Sequence, residues 1–193
     1  MIAANWPGMD GDIEQLRRDP SSFATLGLTD VVDHYEQIIG ELETPPMIIG
    51  HGVGGLVTQI LLDRGWGATG VAIASAPAKG IARLPMSILK LGFSVLGNAF
   101  RNKTASLTAE QFHRAFANLL NETESLDAFK RYVVPGPNRV LLQVAFANFT
   151  PHAAITVNVR NDTRAPLAAI ASINSRRSSG PLGGAVVIKG VFV

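Results

Sequence analysis

Six residues, "GHGVGG" from Gly50 to Gly55, form the densest chemical signal in the chain. They lie between an apolar run, Met47-Ile48-Ile49, and a stretch from Leu56 to Arg64 with helical spacing. Glycines at such a junction support two chemistries. As Gly50-x-Gly52-x-x-Gly55 they match the dinucleotide fingerprint, in which bare backbone approaches a pyrophosphate at a helix N-terminus. As Gly50-x-Gly52-x-Gly54 they match the nucleophile elbow G-x-S-x-G with glycine in place of serine. The first reading requires an acidic residue about twenty residues further on, at the end of the next strand, to hold the ribose hydroxyls. That strand ends Ile73-Ala74-Ser75-Ala76-Pro77 and has no carboxylate. The fingerprint also normally opens its domain, whereas this run follows a segment that already contains a helix. The elbow is the better reading.

Other reactive groups are sparse. There are no cysteines, which excludes disulfides, thiolate metal sites and a cysteine nucleophile. The four histidines are His34, His51, His113 and His152, and no pair has the spacing of a metal site. His34 and His113 read as surface residues or hydrogen-bonded partners on helices. The hydroxyls of Ser75 and Ser94 do not lie on a strand-to-helix turn. Asn-x-Thr triplets begin at Asn102, Asn121, Asn148 and Asn161, but they are meaningful only on a secreted chain.

The surrounding pattern supplies the elements that would position an elbow. Val31, Val32, Tyr35, Ile38, Ile39 and Leu42 share one face of a predicted helix from Thr29 to Leu42 that Pro45-Pro46 terminates. Met47 to Gly50 reads as a strand buried on both faces. A helix over 54–64 ends at Gly65, which suits a left-handed C-terminal turn. Thr69 to Ala74 is a second buried strand, completing a right-handed βαβ unit. From Pro77 to Phe149 the pattern predicts helices and no strand: one over 84–96, one opened by a Thr108/Gln111 capping box, and one over 122–132. Ala165 to Ala171 returns to strand composition. Ser172 to Gly184 reads as polar loop, and Ala185 to Val193 as an apolar tail with weak strand character.

With 193 residues, 47% of them apolar and 17% charged, the chain is long enough for one globular domain. Its formal charge of +2 hides an asymmetry, with 3 basic and 10 acidic residues in 1–65 against 14 and 5 afterwards. The basic residues are scattered without aromatic interleaving, so a nucleic-acid partner is not expected. No secretory signal or membrane-spanning run is visible, and a soluble, cytoplasmic protein is the expectation.

The segments "NWPGM" (5–9), "VVDHYEQIIGEL", "PPMIIGHGVGGLVTQILLDRG", "GVAIASAPAKGI", "LTAEQFHRAFAN", "ANFTPHAA" and "NDTRAPLAAIA" (161–171) together resemble the α/β-hydrolase superfamily, in its cofactor-free bacterial branch with a helical lid. The resemblance implies a three-layer α/β fold with a mostly parallel central sheet. Its parts would be 1–76 as the first part of the core with the elbow, 77–149 as the helical cap, 150–171 as the return to the core, and 172–193 as a divergent tail.

Members of that superfamily carry Gly-His-Ser-x-Gly-Gly here, so Gly52 stands at the nucleophile position without an attacking atom. Val53 would supply one oxyanion N–H. His51 would pack beside the elbow, and His152, after Asn148-Phe149-Thr150-Pro151, would line the pocket. The second oxyanion donor belongs to an earlier strand that the chain is expected to lack. By counting, Ser175 falls where the acid would be, no acidic residue follows Asp162, and no histidine follows His152. The implied protein is therefore a truncated, esterase-like pseudoenzyme with an altered C-terminus, no cofactor and no metal. An active esterase or amidase using another constellation, and a small-molecule or protein-binding module, are the alternatives. A small apolar ligand under the cap is the expected occupant. Because the strand that would neighbour Met47–Gly50 is missing, either Met1 to Asn5 moves inward or that edge stays open to self-association.

Overall fold

The computed structural model describes residues 1–80, 103–147, 150, 156–158 and 160–170. The helix expected over 84–96, Ser94, His152, Ser175 and the tail from Ser172 lie outside the described residues. In chain order the elements are α1 (Ile13–Arg18), α2 (Leu28–Gly40), β1 (Met47–His51), α3 (Val53–Asp63) and β2 (Thr69–Ile73). They are followed by β3 (Thr104–Ala105), α4 (Ala109–Phe116), α5 (Glu122–Tyr132), β4 (Gly136–Pro137), α6 (Asn138–Ala145) and β5 (Leu167–Ile170).

The βαβ unit forms as its pattern predicts. β1 runs parallel to β2, with Met47 opposite Thr69 and His51 opposite Ile73. β5 joins the far side of β2, also parallel, with Gly70 opposite Leu167 and Ile73 opposite Ile170, giving the order β1-β2-β5. Between the first two strands, α3 ends at Gly65, whose φ of 87° lets Trp66 N–H turn back to the Leu61 carbonyl at 2.9 Å.

The main core lies on the α3 side of this sheet. Leu28, Val31 and Val32 of α2 interlock there with Leu56, Val57, Ile60 and Leu61 of α3. Val140 of α6 reaches the same cluster, so the last helix of the inserted block shares the core of the sheet. A second cluster joins Met9, Leu16 and Phe23 of the N-terminal arm to Val134, which follows α5. A third joins Phe112 and Ala117 to Val133.

The helices of the block are set by their caps. Thr108 Oγ1 accepts from Gln111 N–H at 3.2 Å while Gln111 Oε1 accepts from Thr108 N–H at 2.9 Å, the reciprocal box foreseen for α4. Asn121 and Glu124 form the same arrangement at the start of α5, with Glu124 N–H donating to Asn121 Oδ1 at 2.9 Å.

Two expectations need correction, and one open alternative is decided. The block between Pro77 and Phe149 does contain strand pairing, a two-residue antiparallel ladder in which Thr104 faces Pro137 and Ala105 faces Gly136. Two residues per strand are too few to show alternation in sequence. Second, β1 is not buried on both faces among the described residues: Ile48 and Gly50 face α3, whereas Met47 is 61% and Ile49 63% exposed. Ile170 of β5 lies on that same open face, 51% exposed. Two of the three expected layers are therefore present in the described part. As for the two alternatives at the sheet edge, Met1 to Asn5 forms no strand, and β1 pairs only with β2 among the described residues. The arm instead accepts hydrogen bonds from α2, with Tyr35 Oη donating to the Ala4 carbonyl at 3.1 Å.

Candidate active-site elbow

Gly52 sits at the reversal between β1 and α3 with φ 58° and ψ −119°, a backbone shape that strains any residue with a Cβ. The reversal is tied on both sides. Gly52 N–H donates to the Ile73 carbonyl at 3.0 Å, and the Gly52 carbonyl accepts from Ala76 N–H at 2.8 Å and from Gly55 and Leu56 in the first turn of α3. The loop after β2 is thus sewn to the elbow at its central residue. Ala74 in that loop is the one described non-glycine residue with positive φ, at 43°.

Gly50 has a different task. A Cβ there would lie 2.1 Å from the Gly54 carbonyl oxygen and 2.5 Å from Thr58 Oγ1, so α3 can seat on β1 only where the strand has no side chain. These two positions answer the ambiguity of the motif. The glycine pattern serves a sharp strand-to-helix elbow and its close packing.

The side chains around the bend offer little chemistry. Ser75 Oγ donates to the Ala76 carbonyl at 2.8 Å and accepts from Gln59 Nε2 at 2.7 Å, so its hydroxyl is engaged on both sides without a base. Val53 begins α3, and among the described residues its N–H has no acceptor, as expected for the first turn of a helix. His51 ends β1 on the face turned from α3. Neighbouring protein desolvates its ring and lowers its pKa from the ordinary histidine value, favouring the neutral imidazole at pH 7. No metal-holding group of three or more His, Cys, Asp or Glu residues occurs among the described residues.

The elbow brings Gly52, Val53 and His51 together, whereas His152 and residues 81–102 of the expected cap lie outside the described residues. A concavity of about 340 Å³ lies elsewhere, against the N-terminal arm, where Asp10, Gln15, Asp19 and Ser22 line it. Asp19 there is held below the ordinary carboxylate pKa by hydrogen bonds from Ser21. The sequence reading missed the arm's helix α1 and with it Arg17. Its signal was Asp12 three residues before Gln15, since Asp12 Oδ1 accepts from Gln15 N–H at 2.8 Å as an N-cap.

The backbone geometry yields a prediction. In Gly52→Ser the new Cβ meets nothing within 4 Å, so the side chain fits. The positive φ remains, and the variant is expected to fold but lose about 1–3 kcal/mol in urea denaturation. An unchanged midpoint would show that the bend relaxes around a side chain.

No helix among the described residues is long and apolar enough to cross a membrane. No match to the chain is found among the curated proteins or among the solved structures. The profile of the Alpha/beta hydrolase family matches residues 1–179, a span that takes in the βαβ unit, the elbow, the helical block and β5, and continues past Ser172. That span, laid over a parallel sheet whose first crossover begins at a sharp bend, makes the chain a member of the alpha/beta hydrolase family.

Proposed function

We propose that this chain is a member of its family that keeps the elbow as a binding scaffold and does not turn over esters or amides by serine chemistry. The observation that carries the reading is Gly52 at the centre of the bend, where the family's attacking hydroxyl belongs and no oxygen or sulfur is present. Without such an atom no acyl-enzyme forms at that position. Loss of triad members typically lowers rates by several orders of magnitude.

What the bend retains is a donor and a space. The Val53 N–H at the start of α3, beside the unfilled volume at Gly52, suits a small apolar ligand with one acceptor atom, bound and not cleaved. His51 and His152 are the side chains proposed to border it. The test is incubation of the purified chain with p-nitrophenyl butyrate and, separately, with a fluorophosphonate probe. Release of p-nitrophenol is expected to match the buffer rate, and no stoichiometric label is expected. One label per chain within the peptide around Gly52, or turnover abolished by changing Val53, would overturn the proposal.

A further inference from the structure

The N-terminal arm grips the helical block at two helix ends, through residues 112 to 116 positions apart in the chain. At the first, Arg17 Nε donates to the Val133 carbonyl at 2.9 Å, and its Nη2 donates to the carbonyls of Lys130 at 2.6 Å and Phe129 at 3.2 Å. These oxygens close α5. The last carbonyls of a helix have no partner within it, and a cation there also meets the negative end of the helix dipole. Glu14 Oε1 holds the remaining nitrogen, Nη1, at 3.0 Å, which fixes the guanidinium plane. One residue past this cap, Val134 inserts into the cluster of Met9, Leu16 and Phe23 and is only 8% exposed.

The second grip runs the other way. α2 begins after Gly27, which has no side chain to cap Leu28 N–H, and Gln143 of α6 supplies the acceptor at 2.7 Å. The block therefore caps the core's helix, and the arm caps the block's.

We infer that residues 12–28 form a strap that fixes the helical block to the core, with Arg17 as its catch. Near its described ends the block also packs Ala78 and Ala147 into the cluster that holds Leu28 and Val140. Any opening requires Arg17 to release the end of α5.

The test is hydrogen exchange on the full chain, comparing wild type with Arg17→Met, which keeps the apolar stem and removes the donors. Amides of 122–134 are expected to exchange about tenfold faster, with those of α3 and β2 unchanged. Arg17→Lys, with a single ammonium in place of the fork, is expected to show a smaller acceleration confined to the same segment. It decides the matter if the methionine variant fails to fold. Unchanged exchange in 122–134 would overturn the inference. So would equal acceleration throughout the chain, because Arg17 would then serve global stability and not the strap.

Discussion

Alanine at position 50 is expected to destabilise the protein by about 3 kcal/mol or more, a large part of the 5–15 kcal/mol typical of a folded domain. One methyl group does this because of what it meets. The Gly54 carbonyl, 2.1 Å from the new Cβ, belongs to the backbone of α3 and cannot turn aside as a side chain would. Relief requires the helix to lift from β1, which opens the core around Leu56, Val57 and Ile60. The melting temperature should fall by about 6 °C or more for a chain of this length. Gly54→Ala is the control, since its Cβ meets nothing within 4 Å and alanine is favoured over glycine within helices by about 1 kcal/mol. Equal melting temperatures for the Gly50 and Gly54 variants would refute the close approach as the reason for glycine at position 50.

Phe23→Ala is expected to cost about 3–5 kcal/mol, the range for an aromatic side chain removed from a closed core. Phe23 is 0% exposed and is the largest member of the cluster that joins the arm to Val134. The arm around it is held mainly by short turns, Phe23 N–H donating to the Pro20 carbonyl at 3.2 Å and Leu26 N–H to the Phe23 carbonyl at 3.1 Å. Because Arg17 still ties the arm to the end of α5, the cavity is expected to loosen the segment around residue 23 locally instead of being filled by neighbours. Urea denaturation measures the loss, and Phe23→Leu should recover most of it. A loss below about 1 kcal/mol for the alanine variant would mean that the arm contributes little to the folded state.

The parts of the fold legible in the sequence are those where a local pattern and a terminator agree. α2 shows its apolar face and stops near Pro45-Pro46, α3 stops at Gly65, and α4 and α5 announce themselves through Thr108/Gln111 and the start at 122. α1 and α6 were not legible. The first has six residues, too few for a periodic stripe, and the second follows Pro137, which provides no side-chain cap. The placement of β1 was misread for a simple reason. Met47-Ile48-Ile49 is apolar at every position, so alternation could not distinguish a strand covered on one face from one covered on both. At the site, the bend at Gly52 was legible because the elbow is a local structure of strand, turn and helix. The Arg17 catch was not, because nothing in a sequence pairs an arginine with carbonyls more than a hundred residues away.

The unstrained backbone at Gly52 also bears on how such a chain could arise. A hydroxyl-bearing residue in that bend would hold a shape that residues with a Cβ resist. Glycine occupies the same shape freely. Selection for thermal endurance alone would therefore favour glycine in such a bend.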